Sequence, residues 1–386
     1  MAATAVGLGA LRHLGAPLAA GLAARDAGRP LDVLVCENGV QAPDLLRAAI
    51  AERLPTGSRA ALLDRLGLVR TSIGRMIPAA TGGDLLDIRV EPYAHLPVEQ
   101  AAFRGPLPAV AHLEPRADFD LVLLQKLYLH NLTHACLAYA GHLAGFATIP
   151  DCADDPALAA AARAAGDEAG EALARAHGGD VVRVECRALL DDLFVRYRNR
   201  ALADPVARVA RDPWRKLAGD DRLIGAARLC HAQGVVPAAI ARHIIAACHY
   251  EPADDEPRAV EWRALRAQGP LVHLAAVAGL TSQEPLMSTI LFADRQTSAA
   301  TSMRQAGIVL RDDEAAAIEI ADFGLDRFDQ FGLAIHVYVN TDRCCAKELV
   351  MLPGQICPEH RHPSVDGEIG KEETFRVRQG LSLIHI

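Results

Sequence analysis

The stretch QKLYLHNLTHACLAYAG places Lys126, His130 and His134 at successive intervals of four. At about 100° per residue these three side chains form one helical stripe, with Asn131 beside it. The residues around the stripe are leucine, tyrosine and alanine on nearly every side, so the polar groups are expected to be at least partly buried. A buried lysine without partners has a depressed pKa, the state a catalytic base needs. The competing reading is a helix end that carries solvated polar groups.

A second set lies in CPEHRHPSVDGEIGKEETFRVRQG, from Cys357 to Gly380. Residues i and i+2 of a strand face the same side, so His360 and His362 point together, and Glu373 can return on the next strand. Imidazole with carboxylate suits Mn²⁺, Fe²⁺ or Zn²⁺. The alternative is a solvent-facing histidine pair on an edge strand.

Both sets need elements to hold them. The chain has 386 residues, enough for two domains or more. Its net charge of −8 gives no support to binding nucleic acid or an anionic membrane. Nine scattered cysteines without a CxxC pair imply reduced thiols and a cytoplasmic address. The apolar opening TAVGLGALRHLGAPLAAGLAA is broken by Arg12, His13, prolines and glycines. It reads as a buried strand, a turn and a helix, not as a membrane span or signal peptide.

Residues 1–117 alternate strand-like and helix-like pieces: LDVLVCEN, PDLLRAAIAERL, then LLDIRVEP stopped by Pro92. That alternation favours α/β. From 118 to 286 the pattern is helical, with the long runs FDLVLLQKLYLHNLTHACLAYAGHLAG and PALAAAARAAGDEAGEALARAH. After Met287 a helix is followed by strands with turns, LAIHVYVN and AKELVMLPGQICPEH. The boundary is placed near Met287.

Lys-x4-Asn-x2-His on the first long helix after an α/β domain resembles the mannitol dehydrogenase family. TAVG, VLVCEN, GRMIPAA and RNRALADPVARVARDPWRKLAGDDRLIG resemble further pieces of it, so the likeness spans about residues 3–285. The branch acting on mannitol 1-phosphate looks nearest. The resemblance implies NAD as cofactor and a polyol or polyol phosphate as substrate. It implies that Lys126 takes the hydroxyl proton and that Asn131 and Asn38 hydrogen-bond the developing alkoxide. It also implies that His134 orients the hydroxyl and that Arg208, Arg215 and Lys216 hold a phosphate or distal hydroxyls. For these last three the competing reading is surface ion pairing with Asp212, Asp220 and Asp221.

The dinucleotide fingerprint departs from the family. VGLGALRHLG supplies Gly7 and Gly9 but puts Arg12 at the third glycine position. No residue is therefore assigned to bind the cofactor. The expectation is that the first βαβ unit is missing, leaving weak or no NAD turnover.

Gly354-x5-His360-x-His362-x10-Glu373-x6-Gly380 matches the first cupin motif, and its surroundings resemble the D-lyxose isomerase family. This implies a jelly-roll that converts D-lyxose to D-xylulose with a divalent metal, commonly Mn²⁺, on His360, His362 and Glu373. Lys347 would transfer a proton or bind substrate, unless it pairs with a neighbour such as Glu348. A homodimer through the cupin is compatible with that family.

The expected fold is thus an α/β remnant of a Rossmann domain (1–117), an all-α substrate domain (118–286) and a truncated β cupin (287–380). The tail LSLIHI, 381–386, reads as adapter-derived. The expected origin is a fusion of gene fragments encoding a polyol dehydrogenase and an aldose–ketose isomerase. The alternative is a non-catalytic regulator, built from degenerate enzyme domains, that binds a sugar phosphate or a metal.

Overall fold

The computed structural model describes residues 1–26, 28–37, 39–77, 90–325, 327–341, 343–358 and 376–380. They pack as two compact units, Met1–Val235 and Val236–Ile386.

In the first unit β1 (Ala2–Thr4), β2 (Leu31–Val35) and β3 (Leu66–Arg70) form a parallel sheet in that order. Parallel neighbours need crossovers. A 3₁₀ turn (Leu8–Leu14) and α1 (Gly15–Ala24) supply the first, and α2 (Ala42–Ala51) with α3 (Arg59–Asp64) supply the second. Every residue of β2 is buried, as a covered parallel strand requires. Leu11, Leu22, Val33, Leu46, Ile50 and Leu66 form the core beside it. Each such side chain contributes roughly 1.5–3 kcal/mol. A Cβ on Gly15 would lie 2.4 Å from the Ala49 carbonyl oxygen, so glycine lets α1 meet the backbone of α2. The strand and helix read in LDVLVCEN and PDLLRAAIAERL are β2 and α2. LLDIRVEP falls largely outside the described residues.

A second parallel pair, β4 (Leu96–Glu99) and β5 (Leu113–Arg116), leads into the helices. The Asp118 carboxylate caps α4 (Phe119–Gln125) by accepting from the Leu121 N–H at 3.0 Å. A π turn (Lys126–Asn131) then continues into α5 (Leu132–Leu143). α6 (Ile149–Asp154), α7 (Pro156–His177) and α8 (Asp180–Tyr197) follow, then α9 (Val206–Ala210), α10 (Pro213–Lys216) and α11 (Ile224–Ala232). The alanines and glycines of α7 bury one face: Ala162, Ala165, Gly166, Ala169 and Gly170. A Cβ on Gly166 would come within 2.6 Å of Leu190 and 2.8 Å of Thr133. Small residues therefore bring α7 close to both α8 and α5.

The second unit holds α12 (Ala238–Cys248), α13 (Ala259–Arg266), α14 (Pro270–Ala278), α15 (Pro285–Gln305) and α16 (Asp312–Ala316). An antiparallel sheet follows: β6 (Glu319–Ala321), β7 (Leu333–Asn340) and β8 (Cys345–Val350). α15 runs unbroken through Leu286 and Met287, both buried, and packs on α12. The position near Met287 where the sequence pattern changes lies inside this helix, and the two compact units meet at Val235. After Met287 only these three strands occur among the described residues, whereas a jelly roll needs about eight. No described helix is long and apolar enough to cross a membrane.

Candidate functional site

Lys126 opens the π turn and Asn131 closes it. The sequence reading assumed a regular α-helical stripe. A π turn closes i→i+5 bonds instead, so Asn131 shares with His130 the place beneath Lys126. Such a turn needs outside partners for its displaced carbonyls, and it has them. The Thr133 hydroxyl donates to the Leu129 carbonyl at 2.7 Å. The Tyr197 hydroxyl donates to the His130 carbonyl at 2.9 Å and lies 3.0 Å from the Thr133 oxygen.

His134, one turn on, is held from two sides. Its Nε2 is 3.1 Å from the Asp204 carboxylate. Its ring stacks on Tyr197 at 5.2 Å with 14° between planes. The other Asp204 oxygen accepts from Arg208, 2.7 Å from Nε and 2.6 Å from Nη2. Burial would raise the Asp204 carboxyl, but its bonds from His134 and Arg208 hold it below the usual range.

The electrostatics favour neutral bases. Burial, then the charge of Arg222, lowers the Lys126 pKa below that of an ordinary lysine. Burial lowers His130 strongly, with His134, Arg196, Lys126 and Arg222 adding to it. Burial also lowers His134, and Asp204 only partly offsets it. Lys216 is buried on α10 and donates to the Arg211 carbonyl. Burial, then Arg222 and Arg215, pushes it down to about 7. Arg222 is thus the cation shared by Lys126, His130, His134 and Lys216. The Tyr128 hydroxyl bonds the Asp220 carbonyl at 3.4 Å, tying the π turn to the loop that carries Arg222.

The remaining sequence-predicted residues distribute unevenly. Arg215 is half-exposed and pairs with Asp212 at 2.9 Å and Asp221 at 3.7 Å, the surface pairing that was the alternative to phosphate binding. Arg208 pairs with Asp204, a partner that the sequence did not suggest. Lys347 is exposed on β8, and Glu348 beside it takes its ion pair from Arg378 at 2.8 Å. Asn38, His360, His362 and Glu373 lie outside the described residues, as does the tail 381–386. Among the described residues no three His, Cys, Asp or Glu side chains converge to hold a metal.

Sequence reasoning missed Asp204, Tyr197, Arg222 and the pair Arg196–Glu91. Arg196 is buried on α8 and reaches Glu91 at 2.5 and 3.0 Å, and it also bonds the Gly74 carbonyl. Glu91 in turn accepts the Met76 N–H. This clamp sets the segment after β3 against the helices beside His130. Only the even spread of arginine and acidic residues signalled these pairs, and it does not say which pair with which.

The loops after β1, β2 and β3 share the carboxyl edge of the parallel sheet, where open α/β sheets take dinucleotides. Gly7 and Gly9 have nothing within 4 Å of where a Cβ would sit, leaving room for a flat ring near the backbone. The Glu37 carboxylate accepts the Val6 and Gly7 N–H groups at 2.9 and 2.8 Å, which sets the shape of that loop. This open edge is compatible with a bound dinucleotide. A half-buried lysine, an amide and a neutral imidazole on one helix can take a proton from a hydroxyl while its carbon loses hydride.

Known proteins resemble this chain in sequence and in fold. Residues 1–112 match the mannitol dehydrogenase Rossmann domain, and residues 120–284 match the mannitol dehydrogenase C-terminal domain. A mannitol-1-phosphate 5-dehydrogenase of Bacillus licheniformis is 34% identical over 291 residues, covering 75% of this chain and 76% of that protein. A Pseudomonas fluorescens mannitol 2-dehydrogenase, solved with NAD and D-mannitol, aligns with a TM-score of 0.55 at 20% identity. That alignment covers 75% of this chain and 63% of the other. A substrate-free D-sorbitol dehydrogenase aligns at 0.56 and 17% identity, covering 80% and 65%. The chain thus spans less than two thirds of either solved structure.

Proposed function

Because the chain belongs to the mannitol dehydrogenase family, we propose that it carries the site of an NAD-dependent polyol dehydrogenase with Lys126 as the base. The observation that carries this is the half-buried lysine of the π turn, next to Asn131 and His134 and held toward its neutral form. NAD, when bound, accepts the hydride. The chain's own residues do the rest: Lys126 takes the hydroxyl proton, and Asn131 donates to the oxygen as its negative charge grows. His134 orients the hydroxyl, and Asn38 adds a second donor.

The finer reading is a polyol phosphate, with mannitol 1-phosphate the first to test. Burial, then the charge of Arg222, lowers the pKa of both Lys126 and Lys216, and a dianion beside them offsets that lowering. Lys216, with Arg222 and Arg215 near it, would hold the phosphate together with Arg208. The test is reduction of NAD by the purified chain, with mannitol 1-phosphate against mannitol and sorbitol. Turnover of the phosphorylated polyol alone supports this reading. Binding without turnover supports the regulator reading.

Two further results are expected. In Arg222→Gln the rising limb of the pH–rate profile for polyol oxidation moves to higher pH. Arg222 lowers the Lys126 pKa, so its removal raises the pH at which the base loses its proton. An unmoved limb would show that another group titrates. Binding of a phosphorylated polyol near pH 7 is also expected to take up protons, because the dianion raises the Lys216 pKa from about 7. Calorimetry in two buffers of different ionisation enthalpy measures this. Lys216→Met abolishes the Lys216 share, and a neutral polyol shows none of it.

For the C-terminal segment the second reading is the metal-dependent aldose–ketose isomerase, with Lys347 near the reaction and Mn²⁺ on His360, His362 and Glu373. The antiparallel sheet of β6, β7 and β8 favours a β domain there. Titrating the chain with Mn²⁺ under electron paramagnetic resonance tests it. Binding that survives His360→Ala and Glu373→Ala would rule out these ligands.

A further inference from the structure

We infer that Asp204 is a positioning residue of this site: its carboxylate fixes the tautomer and ring orientation of His134 and at the same time the side chain of Arg208. This rests on the dehydrogenase reading only for its kinetic consequence.

The Asp204 carboxylate is held before it does any positioning. Its backbone carbonyl accepts from the Ile149 N–H at 2.8 Å, and Val206 donates to the Ala147 carbonyl at 2.9 Å. Thr148 and Pro205 form a bridge between those bonds. Ala203, just before it, adopts φ 44°, and Pro205 just after it is fixed by its ring. The residue is only 5% exposed, so water does not compete for the carboxylate.

From that anchor one oxygen meets His134 Nε2 at 3.1 Å and the other meets Arg208 at 2.6–2.7 Å. An ionised carboxylate only accepts, so the neutral ring must carry its proton on Nε2. Nδ1 is then the acceptor left for a substrate hydroxyl. Tyr197 closes one face of the ring and is itself held by the carbonyl of His130. Edge and face contacts together leave the imidazole no free rotation. Arg208, reached by the same carboxylate, is placed relative to His134 by a single rigid residue. One group thereby sets the distance between two points of substrate contact.

The test joins a spectroscopic and a kinetic measurement on the full chain. In wild type, the ¹⁵N signals of His134, assigned by comparison with His134→Gln, should show Nε2 protonated and Nδ1 bare. Asp204→Ala should bring the two signals toward a common average as the tautomers exchange. It should also lower kcat for the polyol by about 10²-fold, the cost of a misplaced contact group. Asp204→Asn, which keeps one accepting oxygen, should recover part of that loss. In the His134→Gln background Asp204→Ala should cost clearly less than it does alone, leaving only the share that acts through Arg208. A wild-type His134 protonated on Nδ1 overturns the inference even if no Asp204 variant folds. So does a tautomer unchanged in Asp204→Ala, or a kinetic loss that simply adds to that of His134→Gln. The ¹⁵N readout needs no turnover, so failure of the dehydrogenase reading and failure of this one are told apart.

Discussion

Lys126→Met is expected to lower kcat for polyol oxidation by about 10³- to 10⁴-fold relative to the unsubstituted chain, at the upper end for a lost general base. Methionine keeps the length and fills the half-buried site, so the π turn should persist and NAD affinity should change little. The size of the effect follows from the neighbourhood. Burial and Arg222 hold the amine toward its neutral form. His130 is neutral too, and burial lowers its pKa, which weakens it as a base. Nothing else at the turn can accept the proton as hydride departs. In Lys126→Ala, added primary amines should restore part of the rate in proportion to their basicity. A Lys126→Met chain that retains more than a tenth of the activity would move the base elsewhere, with His134 the next candidate.

Glu91→Ala should cost about 3–5 kcal/mol of stability, the penalty for leaving a buried charge without its partner. Arg196 is 9% exposed at its side chain and Glu91 is 1% exposed, so water cannot replace the lost carboxylate. The Met76 N–H would be orphaned as well. Arg196 would keep Asp192 at 3.2 Å and the Tyr93 ring at 3.9 Å, but Asp192 is half in solvent. Thermal unfolding of the variant should therefore begin on the order of 10 °C earlier. Replacing both partners, as Glu91→Leu with Arg196→Met, should recover most of the loss, since no charge is then stranded. Equal losses in the single and double variants would show that the ion pair itself, and not the stranded charge, sets the cost. Because the clamp holds the segment after β3 beside His130, Glu91→Ala should also raise KM for NAD.

The two expectations draw on different ranges of the chain. Lys126, Asn131 and His134 lie within nine residues of one another, and a short spacing on a helix is legible before any fold is known. The strand of LDVLVCEN and the helix of PDLLRAAIAERL were legible for the same reason: each needs only its own run of apolar residues. β3 was not read, because LGLVR is short and carries a glycine that weakens the strand signal.

The sequence by itself determined the family, the α/β beginning, the helical run after 118 and the candidate for the base. These follow from local periodicity and from motifs within single elements. The tertiary structure decided what surrounds the base. Asp204 meets His134 across 70 residues of sequence, and Glu91 meets Arg196 across 105. Many acidic residues could have served either partner, and only packing selects one. The same holds for the π turn: its extra residue is tolerated because Tyr197 and Thr133 bond the carbonyls of His130 and Leu129. A pattern of side chains along one helix cannot show that, because the groups that stabilise the turn sit partly on another helix.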